Sequence, residues 1–442
     1  MSYDALRDYV FDLDIVDTHE HLPSFEKWRN QEADVLSEYL THYFSCDLVS
    51  AGLSDEALAF ARDVKSPLAK RWKTVAPFWD AARNTGYGRS LDLAARLIYG
   101  IERIDGRTLG SLDEAFRAAR EKGGHFDRVL KQISRIEVSI EDGLSAAVKG
   151  PKDSVDPRYF RPVTRCDAFI SPANAVALGA LSKQTGVAIH TLDDLKRACE
   201  VHLETNLKAG AIGIKCGLAY QRPLRFEKVS AGEAERGLSR CLGLSPSFEK
   251  QHDGTVPDSG TVPAEWPMRK LQDHMMHFVC SLADARGLPF QIHTGLQEGN
   301  GNYIDHSDPA LLSNLFMEYK RVKFDLFHIG YPYQQTLSAL AKNFRNVFID
   351  FAWANVISPE AAIRALIEYL DAVPANKISG FGGDYAFIDG VAGHAYLARE
   401  NVAKALAFKV KHGSFDLARA KELARMILHD NPAAIFGLKK GR

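Results

Sequence analysis

Paired cysteines are missing from this sequence. Its six cysteines (Cys46, Cys166, Cys199, Cys216, Cys241, Cys280) are scattered through 442 residues, with no Cys-x-x-Cys spacing. That argues against a disulfide framework, and the six read as reduced, mostly structural thiols of an intracellular protein. Long apolar runs are missing too. No stretch approaches the roughly 20 residues needed to cross a bilayer. The first residues, Met1 to Asp14, carry acids instead of an apolar core. No signal peptide and no membrane partner are therefore expected, and the expected location is cytoplasmic. Nor is there an excess of either charge: 55 Lys and Arg face 56 Asp and Glu, a formal net charge of -1. Such a balance argues against a basic nucleic-acid surface. No Gly-x-Gly-x-x-Gly follows the first apolar run, so the usual nucleotide-binding form of an open α/β sheet loses support.

What is present is ordinary in bulk and specific in detail. A chain that is 46% hydrophobic and 25% charged is a normal soluble globular composition. Its length allows one large domain with insertions or two to three smaller ones. The pattern of short apolar runs selects among these. Leu13 to Val16 leads into Asp17-Thr18-His19-Glu20-His21-Leu22. On a strand, period-two geometry points His19 and His21 to one face, where two imidazoles can grip one metal ion. Residues 28–130 then read as a mostly helical stretch rich in Ala, Leu, Arg and Asp, with Trp72, Phe78 and Trp79 among its aromatics. It is placed as an insertion after strand one, covering the barrel mouth as a lid, or serving as a packing subdomain.

From residue 131 strands and helices alternate. Strands are expected at 133–140, within 159–170, and at 211–215, 288–293, 324–328, 346–350 and 377–384. A helix is expected from Leu192 to Leu207, with Thr191 as cap and Gly210 as stop. Others are expected from Met268 to Arg286 and from Ser358, where Pro359 and Glu360 form an acidic first turn. Residues 225–265 read as a polar loop or flap. Eight strands separated mostly by helices fit a (β/α)8 TIM barrel of residues 1–27 and 131–442, with a doubly wound sheet as runner-up.

In such a barrel the active site lies at the carboxyl ends of the strands. There stand His19 and His21, Arg165, Lys215, His293, His328 and Asp384. Imidazoles with a carboxylate suit zinc, with manganese or iron as alternatives. Arg165, Arg222 and Arg225 are candidates for receiving an anionic substrate.

Four motifs carry a family resemblance: Asp17-Thr18-His19-Glu20-His21-Leu22, Gln291-Ile292-His293-Thr294-Gly295, Phe327-His328-Ile329-Gly330-Tyr331-Pro332 and Phe381-Gly382-Gly383-Asp384. In this order, with the ending Asn431-Pro432 to Phe436-Gly437-Leu438, the chain resembles the amidohydrolase superfamily, in its amidohydrolase-2-like and uronate-isomerase-like branch. The resemblance implies a metal held by His19, His21, His293 and Asp384, with Asp384 also the base and His328 a supporting or catalytic group. In some branches a lysine ending strand four is carboxylated and bridges two ions. Lys215 reads either that way or, the favoured reading, as an ammonium that binds a substrate carboxylate beside one ion. The implied activity is a metal-dependent hydrolase using activated water on a small, anionic molecule. The alternatives are a uronate-isomerase-like sugar-acid isomerase, favoured by the long insertion, and a nonoxidative decarboxylase. Thr18-His19-Glu20 departs from the first motif associated with uronate isomerases. A homo-oligomer is expected.

Overall fold

The computed structural model describes residues 2–144, 155–243 and 268–438. Eight strands lie in sequence order in one sheet. They are β1 (Ile15–Glu20), β2 (Ile136–Leu144), β3 (Phe160–Arg165), β4 (Ile214–Cys216), β5 (Pro289–Ile292), β6 (Lys323–Leu326), β7 (Val347–Ala352) and β8 (Ile378–Gly382). Every neighbouring pair is parallel. Just past the strand ends β8 returns to β1: the Asp384 N–H donates to the His19 carbonyl at 2.7 Å and the His21 N–H to the Tyr385 carbonyl at 3.1 Å. With helices around it, this is a nearly closed (β/α)8 barrel, as the alternation implied.

Local chemistry explains the helices. Thr191 and Asp194 form a reciprocal capping box at the start of Leu192–Lys208, whose Leu195, Cys199 and Leu203 face the core. Ser358 accepts the Ala361 N–H at 3.2 Å ahead of Pro359–Ala372. Two expectations need correction. The strand expected at 133–140 runs instead from Ile136 to Leu144, because residues up to Ile133 complete a helical turn and Ile136 pairs with Ile15. The loop expected over 225–265 contains a helix, Ala231–Gly243. Ser230 and Glu233 cap it reciprocally, and Ala234, Leu238 and Cys241 give a buried stripe at helical spacing. Residues 244–265 of that expectation lie outside the described residues.

Between β1 and β2 the chain is helical, including Leu68–Ala82, Gly86–Tyr99 and Leu109–Lys122. Phe44, Trp72 and Trp79 pack there with ring centroids 4.6–5.0 Å apart. Asp34 pairs with Arg71 in the same layer, both buried. The helix Gly86–Tyr99 lies against Ile388–Lys411, the long helix after β8. Their approach is so close that a Cβ on Gly393 would sit 1.9 Å from the Ser90 carbonyl oxygen. A second tie is polar. Buried Asp389, in the first turn of the long helix, accepts from Tyr39 at 3.0 Å and Tyr99 at 2.8 Å, and lies 2.7 Å from His125 Nε2.

Candidate metal centre

β1 delivers His19 and His21 to one place. Their Nε2 atoms are 3.3 Å apart. Asp384, two residues past β8, brings Oδ1 to 3.2 Å from His21 Nε2 and 3.5 Å from His19 Nε2. Donors about 2.0–2.2 Å from a tetrahedral centre lie roughly 3.3–3.6 Å from one another, so the trio has the edge lengths of a zinc-sized coordination site. The protonation states agree. Burial pushes the His19 imidazole well below its usual range. Burial opposes ionisation of Asp384, but the neighbouring His19 and His21 hold its carboxyl well below the usual range. Neutral imidazole beside carboxylate is the form that binds a cation.

The other two histidines form a second pair. His328 Nδ1 is 2.7 Å from the Ala352 carbonyl, and its Nε2 is 2.9 Å from His293 Nδ1. Burial lowers the His328 pKa to about 4 and that of His293 well below its usual value. With neutral rings the Ala352 carbonyl, an acceptor only, places the His328 proton on Nδ1. The single proton of His293 serves either His328 Nε2 from Nδ1 or the Leu296 carbonyl, 2.9 Å from Nε2, and the other contact then opposes two lone pairs. His293 thus joins His328 directly, while Asp384 links the two groups: its Oδ2 is 3.8 Å from His328 Nε2.

The basic residues separate. Arg165, at the end of β3, is locked on Asp142 by bonds of 2.5–3.0 Å. Lys215, on β4, is buried, and its Nζ lies 3.5 Å from the centroid of the Phe327 ring. Burial brings it down to about 8, against the pull of Asp142 and Asp384. Both line a cavity of about 280 Å³ with His21, His293 and Asp384. Arg222 and Arg225 do not line it. Arg222 is bound to Asp273 at 2.6 Å and Arg225 faces Glu227 at 3.5 Å. The Cys216 thiol is pushed well up by burial and remains a core group.

Sequence reasoning missed Asp142, whose Oδ2 is 3.8 Å from His19 Nε2 and 3.9 Å from His21 Nδ1. With the two histidines it forms, among the described residues, a group whose spacing could hold a metal ion. Facing the other nitrogen of His21, and fixed by Arg165, it can set that ring's orientation. Ending the strand at residue 140 hid it. Also missed were His42 and Tyr43, which reach the cavity from the long helical stretch, and Tyr220 and Glu298. The residues that close the site are strained. His328, Ile329, Trp353 and Asp384, past β6, β7 and β8, have φ of 62°, 50°, 60° and 56°, a conformation that costs about 1–3 kcal/mol each and concentrates at functional sites.

Comparison with known proteins shows what the chain is similar to. The family model described as amidohydrolase matches residues 261–438. The resemblance to the amidohydrolase superfamily holds. The chain is 28% identical over 319 residues to the fluG protein of Emericella nidulans, covering 70% of the chain and 32% of that protein. It is 21% identical to a uronate isomerase of Cutibacterium acnes, covering 67% of the chain and 63% of that enzyme. The match thus spans less than two thirds of either relative. Among solved structures, the uronate isomerase of Thermotoga maritima superimposes with a TM-score of 0.78 at 17% identity, over 98% of this chain and 97% of that one. The glucuronate isomerase of Caulobacter crescentus gives 0.75 at 19%, over 100% and 95%. A putative metal-dependent hydrolase of Lactobacillus casei gives 0.66 at 17%, over 98% and 97%. These likenesses are of fold.

Proposed function

We propose that the chain is a metal-dependent hydrolase acting on a small carboxylated substrate. The observation that carries this is the split of Asp384: one oxygen meets His19 and His21 while the other turns to His328. His19, His21 and Asp384 would hold one divalent cation, with His293 as fourth ligand; zinc fits the donor set best. A bound cation supplies Lewis acidity toward a water or a carbonyl oxygen. The chain's own groups do the rest. Lys215 binds the substrate carboxylate, and its seat over the Phe327 ring favours an ammonium, since a carbamate anion would face the ring's negative side. Asp384 Oδ2 takes the proton of the attacking water and returns it to the departing nitrogen or oxygen as the scissile bond breaks. His328, its Nδ1–H held by the Ala352 carbonyl and its Nε2 2.9 Å from His293 Nδ1, orients the His293 ring. The helical residues 28–130, through His42 and Tyr43, cover the mouth and limit water.

A second reading is isomerisation of a sugar acid, with the same acid–base groups moving a proton between neighbouring carbons. It is supported by the full-length likeness to two uronate isomerases. One assay series separates the two. Metal-loaded protein is offered carboxylated amides and lactones, and in parallel uronic acids followed for aldose–ketose conversion. Hydrolysis is expected, with Asp384→Asn lowering kcat by roughly 10²–10⁴-fold and KM little changed. Conversion of uronic acids with no hydrolysis would establish the isomerase instead.

A further inference from the structure

We propose that Asp17 and Glu20, the two acids that bracket His19 in the first motif, are positioning residues for Asp384. The inference rests on the reading of His19, His21 and Asp384 as a metal centre. Asp384 lies beyond the last residue of β8 and in the left-handed region, with φ 56°, where its own N–H still reaches the His19 carbonyl. Side chains hold the residues on either side of it. The Gly383 N–H donates to Asp17 Oδ1 at 2.9 Å, and the Tyr385 N–H donates to Glu20 Oε2 at 2.9 Å. The N–H groups of the two residues that flank Asp384 are thus bound to the two acids on either side of His19. Asp17 Oδ1 also accepts the His19 N–H at 3.2 Å, so one carboxylate fixes the first ligand and the last together.

The remaining groups of the turn are also met. The Asp384 N–H goes to the His19 carbonyl, and the His21 N–H comes to the Tyr385 carbonyl. The Gly383 carbonyl lies 3.0 Å from His394 Nδ1, and Tyr43 donates to the Asp384 carbonyl. Glu20 takes further room: a Cβ on residue 383 would lie 1.7 Å from Glu20 Oε1. Glycine stands there because the carboxylate fills the place of a side chain. Asp17 and Glu20 are both fully buried, and neither lines the cavity. Their effect on the site passes through the backbone of 383–385. A small rotation of that turn carries Asp384 Oδ1 out of the 3.2–3.5 Å spacing it keeps with the two imidazoles.

The test uses the full chain, stripped of metal and titrated with cobalt(II). Affinity and the visible d–d spectrum are read, with a thermal melt beside each. Glu20→Ala, Asp17→Ala and Gly383→Ala are each expected to weaken cobalt binding about 10- to 100-fold and to alter the spectrum. Glu20→Gln keeps an oxygen for the Tyr385 N–H and is expected to bind close to wild type. In an Asp384→Ala background, Glu20→Ala should change cobalt affinity no further. An equal loss in that background would overturn the proposal and leave Glu20 a general stabiliser of the fold. So would unchanged affinity and spectrum in Glu20→Ala, or a loss in Glu20→Gln as large as in Glu20→Ala. If Glu20→Ala does not fold, Gly383→Ala and Glu20→Gln decide by the same comparison. Wild-type protein that takes up no cobalt refutes the metal centre itself, a result distinct from wild type and variants binding alike.

Discussion

Lys215 is a residue on which burial and charge pull in opposite directions. Burial lowers its pKa to about 8, while Asp142 and Asp384 favour the ammonium. Binding of a carboxylate needs the protonated form, present below that pH and lost above it. For a carboxylated substrate kcat/KM should therefore fall as pH rises through about 8, and Lys215→Met should remove that limb. The same change should raise KM roughly 10- to 100-fold, the weight of a charged hydrogen bond, without altering metal content. A KM that is unmoved would take Lys215 out of the substrate site. Single residues were legible in the sequence where strand periodicity placed them: His19 and His21 share a face because they are two apart. Asp142 was not legible, because its position depends on where β2 stops. Arg165 was read as a candidate for receiving an anionic substrate; only the fold reveals that Asp142 holds it.

At the scale of elements, the helical residues 28–130 and the barrel meet on Asp389. Its carboxylate serves Tyr39, Tyr99 and His125 at once, and it is fully buried. Asp389→Ala should destabilise the protein by about 3 kcal/mol or more, since it strands several buried polar groups. Limited proteolysis should then cut first within 28–130; cleavage unchanged from wild type would show that the tie does not hold those helices. Elements with strong local signals were readable in advance: Thr191 and Asp194 mark a helix start, and Ser358-Pro359-Glu360 marks another. The helix Ala231–Gly243 was missed because its glycines and serines resemble a loop, although Ser230 and Glu233 carry a cap and Leu238 and Cys241 a stripe.

For the whole molecule, the alternation of short strands and helices was enough to imply eight parallel strands, because parallel neighbours need crossovers. Which side chains meet at the mouth was less legible: contacts such as Tyr43 with Asp384 join segments far apart in the chain. A cation at the proposed centre would couple to this global structure. A cation that binds only the folded form at about 100 times its Kd stabilises by about 2.7 kcal/mol. Tm should therefore rise by several degrees on adding zinc and fall with a chelator, while His19→Ala should show neither shift and retain no stoichiometric metal; a His19→Ala protein that still holds one ion would break the assignment. The seam between β1 and β8 also imposes an order in time. Asp17 and its Gly383 partner are 366 residues apart, which at 5–20 residues per second is roughly 20–70 s of ribosomal synthesis. Through that interval the growing chain displays His19 and His21 without Asp384. At the proposed centre, an ion captured by the early residues would lack that ligand until the last strand arrives, so the finished site would take its full ligand set only late in synthesis.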